Sequence, residues 1–408
     1  MKSFFLAFFS IILCTGCEAN TEFPVLFKAP KRLVSPYGVC THVNRIGPMW
    51  EYESKEKDLT MICNVGAEFI RTDIDWGYCQ PELTKSFSFS HHDKMMHSVD
   101  SLQLITLGIL SSPKIGHFNE WKEYVSQVTS HYKSHINYWE VINEADLWHR
   151  RQPGYSAYDY SIELKTASQL IRGVNKKAKI LFSGISNANV GFIEKVFAQE
   201  ITSCFDIMNI HWYSNKSNEP ESFFDYFKHL HDIMQLYKVD KPVWFTETGC
   251  TTSSGYADEN MQARRLPRIF LISFACGIDK VFWYKSRSRE LSDDSEDHYG
   301  LWHKDYTPKP AFYAYKILTR MCPSGSTRPR IIRSGEVYVA KWKNPTGQNV
   351  TAVWTSEGEC KIKISAFRGR VYDLYGNQMK INSDGILVTP SLLYFVGKKS
   401  LIMNKFDE

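Results

Sequence analysis

Beyond its first 17 residues the chain has no CxxC pair, no GxGxxG turn after its first apolar run, no basic block and no long polar or low-complexity tract. Each absence removes a class of protein. Without closely spaced cysteines there is no ligand set for a structural zinc ion and no redox motif. The cysteines there are, Cys40, Cys63, Cys79, Cys204, Cys250, Cys276, Cys322 and Cys360, are scattered. That spacing fits buried free thiols at least as well as disulfides, and it leaves any pairing open. Without a glycine-rich turn, a dinucleotide-binding doubly wound sheet loses its main signal. The formal charge of +5 is spread along the chain and so leaves no footprint for nucleic acid. With 43% hydrophobic and 23% charged residues the chain can bury a large core, which excludes disorder.

What is present begins with an N-terminal Met1-Lys2, an apolar run from Phe4 to Leu13, and Thr15-Gly16-Cys17. The run is too short to cross a membrane as a mature helix and reads as a secretory signal. Its end resembles a bacterial lipobox, in which the cysteine after glycine is lipidated, although Cys14 stands where leucine is usual. The expectation is export from a bacterium to the outer surface or periplasm, with membrane anchoring through a lipidated Cys17 as a further expectation. Residues 18–36 carry prolines and charges and read as a tether or an extra strand of a second domain.

From Tyr37 onward, short apolar runs rich in β-branched and aromatic residues alternate with helix-length segments. They lie at residues 38–42, 68–73, 102–110, 138–143, 179–183, 207–211, 242–246 and 280–283. Eight strand-then-helix units predict an α/β fold, a (β/α)8 TIM barrel over 37–321. A linker at 322–329 follows, and residues 330–400 then change to short strands at 336–343, 350–354, 360–364, 370–375 and 392–396, separated by turn residues. That pattern predicts a small C-terminal β-sandwich.

In a parallel barrel the side chains leaving the C-terminal strand ends converge on one face. Strand four delivers Glu144 there and strand seven delivers Glu247. Glycoside hydrolysis needs one carboxylic acid to protonate the leaving oxygen and one carboxylate to attack, or to activate water. Either glutamate alone is a weak signal. As a pair at the ends of strands four and seven they point to this chemistry, which needs no metal and no cofactor.

The segments Trp139-Glu-Val-Ile-Asn-Glu144 and Trp244-Phe-Thr-Glu-Thr-Gly249 resemble the retaining glycoside hydrolases of clan A. Tyr37-Gly-Val-Cys-Thr-His42 and residues 66–76 are most similar to family 39 and its relatives, with family 5 as the runner-up. The resemblance implies that Glu144 is the acid/base and Glu247 the nucleophile. It further implies that Arg71 orients Glu247, that Asn143 holds the sugar 2-hydroxyl, and that His211 and Tyr213 bond the nucleophile or the sugar. Trp283 would form an apolar floor, and His42, Asp73 and Trp76 would line a sugar subsite. The charged segment 286–299 is expected as a solvated loop or a substrate-choosing rim, with His298, Trp302 and His303 close by.

The implied partner is a poly- or oligosaccharide, cleaved by a monomer through double displacement. Two other functions stay open: a glycan-binding barrel without hydrolysis, and a transglycosidase using the same covalent intermediate. Loops rather than strand-end glutamates choose the sugar, so the substrate is not legible.

Overall fold

A computed structural model describes residues 21–45, 55–187, 189–214, 218–364, 367–381, 385–399 and 401. The expected signal and Cys17 lie outside the described residues. Eight parallel strands build the first domain: β1 (Tyr37–Cys40), β2 (Phe69–Ile74), β3 (Ile105–Leu110), β4 (Tyr138–Val141), β5 (Lys179–Leu181), β6 (Met208–His211), β7 (Val243–Thr248) and β8 (Lys280–Trp283). Neighbours pair in chain order from β1 to β5, β8 pairs with both β1 and β7, and β7 with β6. A parallel bridge from Leu181 to Ile207 closes the ring.

Strand eight keeps its expected bounds; the others shift by one to three residues at one or both ends, and in two of them a local reason is visible. Strand three starts at Ile105 rather than 102, because Leu102 still donates its N–H to Ser98 of the preceding helix and Gln103 turns at φ +56°. Strand five breaks after Leu181 and resumes as the two-residue Ile185–Ser186, which pairs with β6. At the break, Gly184 passes so close to His211 that a Cβ would collide with the imidazole. Its N–H leaves the ladder and donates to Glu140 Oε1 at 3.1 Å.

The period-2 alternation of strand side chains sorts the core into two layers. Cys40, Phe69, Leu107, Leu181, Ile207, Trp244 and Phe282 fill the barrel interior. Their sequence neighbours, such as Val39, Ile70 and Val281, face outward to the surrounding helices. Those helices are α1 (Lys55–Asn64), α2 (Ser90–Ser101), α3 (Phe118–His131), α4 (Ala157–Val174), α5 (Val190–Phe197), α6 (Phe223–Leu236), α7 (Glu259–Ala275) and α8 (Pro310–Met321). A reciprocal capping box between Ser156 and Asp159 starts α4, and Asp258 caps α7. Every residue from Leu266 to Ala275 of α7 is buried, as expected of a helix covered on all sides.

What covers α7 on its outer side includes the second domain. Its strands are β9 (Arg330–Ser334), β10 (Val337–Lys343), β11 (Asn349–Thr355), β12 (Cys360–Ile362), β13 (Gly369–Tyr372), β14 (Gln378–Met379), β15 (Ile386–Val388) and β16 (Leu393–Gly397). They form a seven-stranded sheet in the order Thr21–Glu22, β9, β10, β11, β16, β13, β14, with β12 and β15 as a separate pair. Val339, Val353 and Phe395 of the large sheet pack on Ile362 and Val388 of the small one, which makes a sandwich. The opposite face of the large sheet, with Trp342, Trp354 and Tyr394, joins the barrel's own core.

Polar contacts fix that junction. Trp354 donates to Glu221 at 2.7 Å, and Arg268 of α7 binds both Glu219 (2.8 Å) and Glu221 (2.9 Å). The buried Arg268 guanidinium thereby has two carboxylates, without which its desolvation would go uncompensated. All eight described cysteines are free thiols. Among the described residues no helix is long and apolar enough to cross a membrane.

Candidate active site

The strand ends deliver a single hydrogen-bonded constellation. Arg71, leaving β2 and 3% exposed, donates through Nη1 to Glu247 Oε1 at 2.5 Å. Its other nitrogens grip Glu140 of β4, Nε to Oε2 at 2.7 Å and Nη2 to Oε1 at 2.8 Å, and Nη2 also reaches Asn143 Oδ1 at 2.6 Å. Glu140 is fully buried and was not among the residues the sequence singled out. The signal was available: a lone acid inside an apolar strand requires a buried cation, and Arg71 lies inside strand two.

Past Glu140 the chain turns sharply, with Ile142 at φ +66° and Glu144 at φ +46°. Left-handed backbone at a β-branched residue and at an acid costs on the order of 1–3 kcal/mol each and persists only where packing enforces it. Here the turn lifts Asn143 and Glu144 out of the strand into the barrel mouth. Trp148, in the 3-10 turn Ala145–Arg150, donates to Asn143 O at 3.0 Å, and Ser183 Oγ accepts from Ala145 N at 2.9 Å. These bonds hold the turn from both sides.

Tyr213, beyond β6, donates its hydroxyl to Glu247 Oε2 at 2.5 Å. His211 faces both glutamates through Nδ1, at 3.2 Å from Glu144 Oε1 and 3.5 Å from Glu247 Oε2. Its Nε2 meets Thr246 Oγ1 at 3.0 Å, and that hydroxyl donates to Asn209 Oδ1 at 2.6 Å. Because the hydroxyl proton goes to Asn209, Nε2 must donate, and Nδ1 donates to the carboxylates when the ring is the doubly protonated imidazolium. Burial alone would lower the His211 pKa, but the Glu247 and Glu144 carboxylates outweigh it and raise it. Burial likewise pushes the Glu247 carboxyl up, and His211, Arg71 and the Tyr213 hydroxyl overcome that and hold it below the usual range. Glu247 is therefore ionised at neutral pH.

The donor atoms of Glu144, His211 and Glu247 lie within 4.8 Å of one another. A cation could share these three atoms, but the Arg71 guanidinium already neutralises Glu247 and opposes a second positive charge.

On the β1 and β8 side, His42 Nε2 lies 3.3 Å from the Tyr284 hydroxyl, which donates to Glu296 at 2.8 Å. Burial, with Arg45 nearby, lowers the His42 pKa to about 3, so the ring is neutral near pH 7. Asp73 is paired with Arg45 at 2.7 Å. Trp283 does not join the site. Alternation along β8 turns Phe282 and Tyr284 into the barrel and sends Trp283 outward, fully buried against the helices. Tyr284 occupies the position at the mouth that was expected for Trp283.

Trp76 is also almost wholly buried, stacked on Tyr124 with ring centroids 5.5 Å apart, and contributes to the wall of a cleft rather than to the constellation. That cleft, of about 530 Å³, opens beside Asn143 and Glu144 and is lined further by Asp73, Lys114, Trp148 and Arg151. In segment 286–299 the charges mostly satisfy one another: Arg289 binds Asp297 at 2.6 Å, and Glu290 binds His303 at 2.6 Å. Trp302 is buried, donating to Asp58 at 3.1 Å.

A closed parallel barrel with two glutamates facing each other at its C-terminal mouth defines a glycoside-hydrolase fold and site. The chain belongs to the glycosyl hydrolase catalytic core family, which it matches over residues 68–311. Its fold is similar to that of a family 39 glycoside hydrolase from the gut symbiont Bacteroides cellulosilyticus WH2, 19% identical, with a TM-score of 0.73 over 90% of this chain and 81% of that one. A glucosidase from Croceicoccus marinus is 11% identical, with a TM-score of 0.68 over 91% and 97% of the two chains. A monomeric beta-xylosidase from Caulobacter crescentus CB15 is 12% identical, with a TM-score of 0.66 over 90% and 97%. Both domains are covered in each case, so the barrel-plus-sandwich arrangement is shared. No curated protein matches the chain in sequence.

Proposed function

We propose that this chain is a retaining O-glycosyl hydrolase, most like family 39 and its relatives, acting on a poly- or oligosaccharide by double displacement. The observation that carries this is the separation of the glutamates: one oxygen of each, with His211 Nδ1 between, falls within 4.8 Å. Retaining enzymes need about 5–5.5 Å between their carboxyl groups, whereas inverting ones leave roughly 6.5–9.5 Å for a water molecule.

Glu247 attacks the anomeric carbon, and Glu144, on the cleft side, protonates the departing oxygen. Glu144 then takes a proton from the water that hydrolyses the glycosyl-enzyme. Arg71 and Tyr213 hold the nucleophile ionised and aimed. Asn143, fixed by Arg71, is set to meet the sugar 2-hydroxyl as positive charge develops at the anomeric carbon. His211, bridging both glutamates, stabilises negative charge on whichever carries it during the cycle.

A glycan panel followed by NMR of the fresh product tests this. Retained anomeric configuration is expected, and an inverted product would refute the nucleophile role. The apolar run at 4–13 and Cys17 support export from a bacterium with a lipid anchor. Labelling with palmitate should mark the wild type and spare Cys17→Ala.

A further inference from the structure

We infer that the cleft beside Glu144 is a leaving-group site for a sugar carrying a negative charge, as a carboxylate or a sulfate ester. The inference rests on the proposed role of Glu144 as the acid, because the departing group lies on the acid's side of the scissile bond. Of the two glutamates, Glu144 lines this cleft.

The charge of the wall carries the argument. Arg45, Lys114, Arg150 and Arg151 face Asp73, Asp75 and Glu144. Two of these charges cancel directly, since Arg45 binds Asp73 at 2.7 Å. Asp75 accepts from Tyr78 N at 3.3 Å as the cap of the short helix Trp76–Cys79. Glu144 must be neutral when it acts as the acid. The remaining cations, Lys114, Arg150 and Arg151, are exposed and outnumber the remaining anion.

Their mounting favours a sugar rather than a bare ion. The Lys114 ammonium sits 5.0 Å from the Trp76 ring and the Arg151 guanidinium 5.4 Å from the Trp148 ring. Each cation is thereby held over an indole at the cleft wall. Trp148 is anchored to the Asn143 carbonyl, so the turn that follows the acid also delivers Arg150 and Arg151. With three cations against one remaining anion and the half-buried Trp148 indole at its wall, the cleft offers apolar area for a pyranose and charge-assisted hydrogen bonds for its acidic substituent.

The test is binding to the full chain by calorimetry or saturation-transfer NMR, with D-glucuronate, D-glucose 6-sulfate and D-glucose as probes. At least one anionic sugar should bind about tenfold more tightly than glucose, and the preference should shrink at high salt. The two anionic arms tell a carboxylate site from a sulfate site. In Arg150→Ala/Arg151→Ala, checked for folding by circular dichroism, the preference should fall to within about twofold. Equal affinity for all three sugars, or a preference that survives in the folded double variant, overturns the inference. The readout needs no turnover, so this failure is separate from that of the catalytic assignment, which an inverted product would refute.

Discussion

Replacing Glu140 by glutamine keeps the shape of the side chain and removes the one carboxylate that holds Arg71 from below. Glu140 accepts three N–H groups: Nε and Nη2 of Arg71, at 2.7 and 2.8 Å, and Gly184 N at 3.1 Å. A glutamine oxygen placed at Oε1 keeps two of these bonds, but its NH2 then faces Arg71 Nε–H. One charge-assisted bond, typically about 1.5–3 kcal/mol, is lost, and a fully buried N–H is left unpaired at about 1–3 kcal/mol. The sum, about 2.5–6 kcal/mol, brackets the usual cost of about 3–5 kcal/mol for breaking a buried ion pair from one side. Arg71 also positions Glu247 and Asn143, so kcat/KM should fall about 10- to 100-fold as those groups shift. Urea unfolding and steady-state kinetics on the best substrate of a glycan panel would measure both. A variant within about 0.5 kcal/mol and twofold of the wild type would refute the claim that Glu140 holds Arg71 in register.

Tyr213→Phe removes the hydroxyl that donates to ionised Glu247, worth about 1.5–3 kcal/mol, so the acidic limb of the pH–kcat/KM profile should move up by about 1–2 pH units; an unmoved limb would contradict the assignment. Gly184→Ala forces a methyl group into the His211 ring, and activity should drop at least about 100-fold; ordinary turnover would show that the close approach is dispensable. Glu163, buried and accepting from Tyr155, has its pKa raised to about 8 by burial. The folded form holds this proton where the unfolded chain has lost it, so the linked stability is complete below the unfolded pKa near 4.3 and is lost as pH rises towards 8. Between pH 6.5 and 8 the wild type should therefore lose about 1.6 kcal/mol relative to Glu163→Gln, the slope of about 1.4 kcal/mol per pH unit halving as pH reaches the folded pKa. Parallel stability curves for the two proteins would refute the burial argument.

The barrel was legible because its strands are dense in β-branched and aromatic residues and are spaced by helix-length segments, a pattern that one buried layer on each side of a strand imposes. Glu144 and Glu247 stood out because each follows an apolar run at a strand end. Residues whose role depends on the partner strand were harder to place: a lone acid such as Glu140 signals a buried cation but does not by itself say which side of the strand it meets it on. Glu140 looked like an internal residue of strand four until Arg71 was seen to face it. Trp283 and Tyr284 differ only in which side of β8 they occupy, and a one-residue uncertainty in strand phase exchanges core for site. At the break in strand five Gly184 passes close against a histidine 27 positions later, where a Cβ would collide, and no local pattern encodes that approach. The extra N-terminal strand was among the expectations for residues 18–36, but its partner β9 was hidden, because a strand of five residues, four of them not fully buried, carries little alternation.

The nucleophilic role of Glu247 is tested most directly by trapping. The protein would be incubated with an activated 2-deoxy-2-fluoro glycoside of the sugar chosen by the glycan panel, digested and mapped by mass spectrometry. The account predicts one fluorosugar per chain, on the peptide that contains Glu247. A label on Glu144 or on any other carboxylate, or slow turnover with no covalent species, would contradict it.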